Sequence, residues 1–254
     1  MEQTKTKKIT LWYLLITFVI MGFVWGGILI AQHYGYLKRD SIMFFPLFIL
    51  GGASTTIASF LVLIKSGVSV KEWFANVFGV KQSPFSYLIV FLFLVCYTVL
   101  GFLTGSFTLY TPLGFLFLFG IQNIVAGGLE QAGWSYILLP NLEKSMPFGF
   151  AALIFGSIWV LWHLPLFFMD ATIQQNMNFG IYFIFMLGYA FSLAAIKRLT
   201  GSVWLCVLFH ASLNAVLTVF ALDLSLSRTI IISLVIIILS LVLVNSCKSP
   251  HKKL

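Results

Sequence analysis

The sequence predicts an all-α polytopic membrane protein, a bundle of about eight transmembrane helices with a short interfacial helix. Hydrophobic residues make up 60% of the 254 and charged residues 9%, with 27 Phe, whereas soluble chains carry about 25% charge. Uncharged runs occupy 9–37, 41–64, 82–129, 145–169, 171–196, 199–222 and 229–247. Each holds the ~20 residues that a spanning helix needs, and the third holds two. The runs are too long for barrel strands and lack their alternation. No sizeable soluble domain remains.

Helices are expected at 11–32, 43–65, 85–104, 113–142, 148–168, 179–196, 202–222 and 230–245. Lys5, Lys7 and Lys8 precede the first run as they would a signal peptide. Its apolar core exceeds the usual ~7–15 residues and no small-x-small site closes it, so it reads as a retained span. Trp12, Tyr13, Tyr34 and Tyr36 flank it as interfacial belts do. After the second helix, Ser69 and Glu72 form a capping box, and Val70, Trp73, Phe74, Val77 and Phe78 recur at helical spacing. That segment, near 69–79, is expected to lie on the membrane surface as an anchor. The stretch 105–112 is uncharged turn chemistry, and 141–147 is the most polar connection of the middle of the chain.

Orientation follows from the cations. Lys5, Lys7, Lys8, Lys65, Lys71, Lys81, Lys144, Lys197, Arg198, Lys248, Lys252 and Lys253 fall on one side of such a bundle, and only Lys38, Arg39 and Arg228 on the other. The positive-inside rule makes the first side and both termini cytoplasmic, in a bacterial-type plasma membrane. An even number of spans agrees. The net charge of +8 is thus topology, and no nucleic-acid partner is expected. Cys96, Cys206 and Cys247 are too scattered for a disulfide framework or a cysteine metal site. The chain divides into 1–112 with the first three spans, a core at 113–222, and 223–254 with the last span and a basic tail.

Within the spans, polar groups concentrate in three pairs four residues apart: Glu130 with Trp134, Trp159 with His163, and His210 with Asn214. In a regular helix each pair shares one face. Glu130 ends a 48-residue uncharged run, and a carboxylate within hydrocarbon marks a functional site by default. Glu130 and His163 are equidistant from a turn at Met146-Pro147. In an antiparallel hairpin both would lie ~20–25 Å from it, and His210 ~14–20 Å from the next turn on that side. A shared level near mid-membrane or toward the cytoplasm follows. Pro165 would free the Leu161 carbonyl and bend its helix beside His163. Gly127, Gly128 and Gly133 would let backbones approach or leave room for a substrate.

These residues admit several chemistries. Intramembrane His and Asn also serve as packing glue worth ~0.6–2 kcal/mol, and Glu–His chains serve as proton relays in transporters. A carboxylate and a neutral imidazole can take a proton from water. A second His with an Asn supplies N–H donors for a developing oxyanion. Two histidines and a carboxylate also make an ordinary catalytic zinc set. Zinc bound by all three would leave Gln131 in place of a carboxylate base, so a cofactor-free site is preferred. No serine sits in a nucleophile-elbow context.

The three motifs are Glu130-Gln-Ala-Gly-Trp-Ser-Tyr-Ile-Leu-Leu-Pro140, Trp162-His-Leu-Pro165 and His210-Ala-Ser-Leu-Asn214. The chain so resembles the CPBP family (CAAX proteases and bacteriocin-processing enzymes, also called Abi), related to the type II CAAX prenyl endopeptidases. The resemblance implies that Glu130 and His163 activate water while His210 and Asn214 hold the oxyanion, with Trp134, Trp159 and Pro165 supporting. It implies an intramembrane endopeptidase for CAAX-type or leader- or bacteriocin-type peptides, its substrate entering from the membrane or the cytoplasmic side. The family's second glutamate and its arginine are Gln131 and Ser135 here. Removing both partners of a buried ion pair can be nearly neutral, whereas removing one costs about 3–5 kcal/mol. A structural substitution that spares Glu130 is expected. The alternative is a catalytically degenerate member acting as a membrane regulator or bacteriocin-immunity protein.

Overall fold

The computed structural model describes residues 2–38 and 40–246, with the side chains of residues 6–38 and 40–246. Arg39, Cys247, Lys248, His251, Lys252 and Lys253 lie outside the described residues, as does the side chain of Lys5. Each hydrophobic segment expected to span is helical over part of its length, and the one expected at 202–222 ends at Val219, before the strand Phe220–Leu222. The helices are α1 (Glu2–His33), α2 (Phe44–Gly52), α3 (Ser54–Lys65), α4 (Val70–Val77), α5 (Pro84–Leu103), α6 (Phe115–Ala126), α7 (Gln131–Gly133), α8 (Leu139–Glu143), α9 (Phe148–Trp162), α10 (Phe179–Thr200), α11 (Val203–Val219) and α12 (Leu226–Ser246). Among the described residues, α1 from Thr6, α5, α10 and α12 are long and apolar enough to cross a membrane unaided. The pair α2 and α3, bent by 44°, makes a fifth candidate, while α9 and α11 are shorter apolar helices. The protein is an all-α polytopic membrane protein, with its eight expected spans partly broken into shorter pieces.

Each break has a local cause. The α2–α3 bend follows Gly51-Gly52, where the Trp25 ring packs against Gly51 and its indole N–H donates to the Phe48 carbonyl at 3.0 Å. The fourth expected span does not continue as one helix. After α6 come a 3₁₀ turn (Gly128–Glu130), α7, a π-helical turn (Trp134–Leu138) and α8. Gly127, at φ −153° and ψ −46°, starts the irregular stretch. Two carbonyls of this stretch are also met by α3: Thr56 Oγ1 donates to Leu129 O at 2.7 Å and Thr55 Oγ1 to Glu130 O at 3.2 Å. Irregular backbone at membrane depth requires such internal partners. Pro165 ends α9 at Trp162 instead of kinking it, and Leu164–Phe167 tighten into a 3₁₀ turn. The missing N–H and the ring clash of proline forbid a further α turn.

The interfacial segment forms α4, with Ser69 Oγ accepting from Glu72 N at 3.1 Å. Its apolar side is divided, with Trp73 and Val77 packed against the protein and Val70, Phe74 and Phe78 exposed. Trp73 is buried, donates to Ser59 Oγ at 3.1 Å and meets Phe60 edge-on, whereas Phe74 remains exposed. Unexpected from sequence is a two-stranded antiparallel ribbon, β1 (Phe107–Leu109) with β2 (Phe220–Leu222), in register Phe107↔Leu222. Phe107 and Phe220 stack at 5.6 Å, which rigidifies the stretch read as a plain turn.

The core centres on α10, which packs against α9, α11, α12 and α5. The two ends of the bundle are fixed by separate contacts. At the basic end Asn141 bonds Thr10 and Arg198 pairs with Glu143 at 3.5 Å. At the other end Gln32 exchanges two bonds with the Asp170 backbone, and Arg228 pairs with Asp223 at 3.0 Å. Gly133 is packed between Thr55 O and Tyr13 Oη, each 2.5 Å from where a Cβ would stand. Gly133→Ala is expected to destabilise the protein by about 1–3 kcal/mol through overpacking. A lowered thermal midpoint in detergent checks this, and an unchanged one refutes the close packing.

Candidate active site

Three elements deliver the polar groups. The 3₁₀ turn after Gly127 carries Glu130, which is buried, with Oε2 accepting from the Trp159 indole N–H at 2.9 Å. Trp159 belongs to α9 and its ring lies 5.6 Å from His163, 5.3 Å from His210 and 5.3 Å from Tyr189. One indole thus spaces the acid and both imidazoles. Glu130, Trp159, His163, His210 and Asn214 all line one cavity of about 590 Å³.

Hydrogen-bond partners assign the two imidazoles opposite tautomers. His163 caps α9 with Nδ1 2.8 Å from the Trp159 carbonyl oxygen. A carbonyl only accepts, so Nδ1 carries the proton and Nε2 of neutral His163 is left as an acceptor. His210, midway along α11, has Nδ1 3.0 Å from Gln131 Nε2. An amide nitrogen only donates, so Nδ1 is the acceptor and Nε2 bears the hydrogen. Ser135 Oγ donates to Gln131 Oε1 at 2.7 Å, which holds the amide in that orientation. The uncharged Gln131–Ser135 pair is thereby internally satisfied and makes His210 an N–H donor.

Asn214 lies one turn beyond His210. The Tyr189 hydroxyl is 3.3 Å from Asn214 Oδ1 and 3.0 Å from the His210 carbonyl oxygen, both acceptors. Asn214 Nδ2 therefore turns the other way, toward Gly127. A Cβ on Gly127 would stand 2.7 Å from Asn214 Nδ2 and 3.1 Å from His210 Nε2. Two N–H donors converge on a space that exists because residue 127 has no side chain.

The sequence-expected supporting residues separate here. Gln131 and Ser135 stand behind His210, outside the cavity wall. Trp134 does not share a face with Glu130: it is fully buried, edge-on to Tyr13 at 5.6 Å and to Trp162 at 5.9 Å. The i, i+4 rule assumes uniform α rotation, which the 3₁₀ and π turns between the two residues remove. Pro165 lies in the turn after His163 and sets where α9 stops. Sequence reasoning missed Tyr182 and Tyr189, both on the cavity wall. Their seven-residue spacing places them on one face of α10, and buried tyrosines need a partner for the hydroxyl. That signal was available. Among the described residues no three His, Cys, Asp or Glu side chains are placed to hold a metal ion.

A family model described as Type II CAAX prenyl endopeptidase Rce1-like matches residues 111–216. The chain resembles these endopeptidases. CAAX prenyl protease 2 of Methanococcus maripaludis is 24% identical over 230 residues, covering 80% of this chain and 81% of that protein. The Rce1-like segment contains Glu130, His163, His210 and Asn214, together with the Gln131–Ser135 pair.

Proposed function

We propose that the protein is an intramembrane endopeptidase that hydrolyses a peptide bond with an activated water. The observation that carries this is the opposed pair of imidazoles beside one carboxylate: Nε2 of His163 accepts, whereas Nε2 of His210 donates. A water held between Glu130 and His163 Nε2 gives its proton to that pair as its oxygen bonds the scissile carbonyl carbon. The carbonyl oxygen becomes negative and is held by N–H groups of His210 and Asn214. The same proton then passes to the amide nitrogen as the C–N bond breaks, giving an acid and an amine. Trp159 fixes Glu130 through Oε2 and leaves the second oxygen for the water.

CAAX-type or leader- or bacteriocin-type peptides are the substrate classes that the resemblance suggests, and both chain ends are assigned to the cytoplasm by charge. The protein purified in detergent is expected to cleave members of a peptide library at one bond each. Absence of any cleavage, combined with solute flux driven by a pH gradient in proteoliposomes, would replace the hydrolase by a transporter. Hydrolysis is proposed to proceed without a metal. Elemental analysis is expected to find no stoichiometric zinc, and a chelator is expected to leave the rate unchanged. One zinc per chain that chelation removes together with activity would overturn the metal-free step.

A further inference from the structure

A second concavity lies on the flank of the bundle, behind the candidate active site. It is a groove of about 440 Å³ along the seam of α6 and α11, with a wall that is apolar apart from Ser212 and the Trp204 indole N–H. Phe117 and Ile121 of α6 are exposed along its lip. Gly120 keeps it open, since a Cβ there would meet no neighbouring atom within 4 Å. On α11 the wall runs from Trp204 to Val216, ~18 Å along the axis. Half of a ~30 Å hydrocarbon core is about as deep.

The Trp204 end of the groove belongs to the basic end of the bundle, where α11 begins shortly after Lys197 and Arg198. There the Trp204 indole N–H donates to Tyr87 Oη at 3.3 Å, and the Tyr87 hydroxyl donates to the Val80 carbonyl. Lys81, the next residue, is exposed, and among the described residues no carboxylate pairs with it. Between Ile64 and Pro84 the other charges are Lys65, Lys71 and Glu72, so the stretch is cationic. An indole and a phenol at the end of an apolar trough sit as such rings do at headgroup level. A lysine beside them is placed for an anionic headgroup.

We propose that this groove binds an anionic phospholipid, one acyl chain lying between α6 and α11 and the headgroup meeting Lys81. Lipid tails are as apolar as leucine, so the chain is held by packing into a trough that otherwise lacks contacts. Headgroup charge then selects which lipid stays. The same two helices frame the oxyanion space. α6 ends at Ala126, next to Gly127, and α11 turns His210 and Asn214 away from the groove residues Leu208 and Ser212. At Gly128 the chain approaches α11 so closely that a Cβ would stand 2.8 Å from the Val207 carbonyl oxygen. A seated acyl chain thus sets the spacing at which Asn214 Nδ2 and His210 Nε2 converge on Gly127. This regulatory role rests on the endopeptidase reading, whereas lipid binding does not.

The two are tested separately. Native mass spectrometry of the full-length protein in detergent, offered dioleoyl phosphatidylglycerol or dioleoyl phosphatidylcholine, reads binding directly. One phosphatidylglycerol per chain is expected to be retained, and phosphatidylcholine more weakly. Gly120→Leu fills the trough and is expected to abolish retention with an unchanged thermal midpoint. Ser212→Leu, on the other wall, is expected to do the same and carries the test if Gly120→Leu does not fold. Lys81→Gln is expected to weaken phosphatidylglycerol retention about fivefold and to leave that of phosphatidylcholine unchanged. Wild-type retention in the filled variants overturns the groove as the site. Equal retention of the two lipids, or an unaltered preference in Lys81→Gln, overturns the anionic headgroup. A dimer that Gly120→Leu dissociates would give the groove to a second copy of the chain instead. Retention is expected to be the same in a Glu130→Gln background, so loss of hydrolysis leaves it readable. Cleavage of one peptide is expected to be severalfold faster in phosphatidylglycerol than in phosphatidylcholine nanodiscs, and in Gly120→Leu to be indifferent to the headgroup. Equal wild-type rates in the two overturn the regulatory half of the proposal.

Discussion

Glu130→Gln is expected to lower peptide hydrolysis by orders of magnitude and to leave the fold in place. The amide is nearly isosteric, and its oxygen can still accept the Trp159 indole N–H that now reaches Oε2 at 2.9 Å. What the amide cannot do is take a proton from water. Loss of general-base catalysis costs about 10²–10⁴-fold, so kcat/KM is expected to fall by that order with an unchanged thermal midpoint. His163→Ala is expected to fall similarly, because Nε2 of that imidazole is the other acceptor facing the reaction. If one water is shared between them, the double variant is little worse than either single one, since groups acting as a unit are not additive. Library cleavage by both variants at the wild-type rate would falsify the assignment. A phenotype that survives Glu130→Gln would instead favour a non-catalytic regulator.

Gly127→Ala is expected to cost about 10²–10³-fold in kcat, the order seen when an oxyanion donor is lost. The added methyl group would lie 2.7 Å from Asn214 Nδ2 and 3.1 Å from His210 Nε2. It therefore occupies the point where the two N–H groups converge, so the negative oxygen loses its place while Glu130 and His163 are untouched. A transition-state effect of this kind lowers kcat more than it raises KM. Steady-state kinetics on one cleaved peptide reads that split. A change confined to KM would make Gly127 part of a binding wall and remove the donor pair from the mechanism.

Much of the candidate site was legible because its cost is written in the sequence. A glutamate closing a long uncharged run, and two histidines inside hydrocarbon, cannot be placed there without partners, so Glu130, His163 and His210 stood out against their neighbours. Asn214, one turn from His210 on a regular helix, was found by spacing. Trp134 was misplaced by the same rule, because the chain between Glu130 and Trp134 is not uniformly α-helical. Tyr189 was passed over because a tyrosine in a span usually signals an interface, and only its contact with Asn214 identifies it as the residue that aims the amide.

By itself the sequence determined that this is a helical membrane protein, which end of it is cationic, and which side chains are too polar to be buried without purpose. Tertiary structure alone decided which way those side chains face. Donor and acceptor roles of the imidazoles depend on neighbours 4 and 79 residues away, and only one of those distances is helical. The shape of the cavity was likewise undetermined by one-dimensional pattern. Hydropathy fixes how deep a residue lies along its own helix, whereas the opening is set by where the helices leave a gap between them.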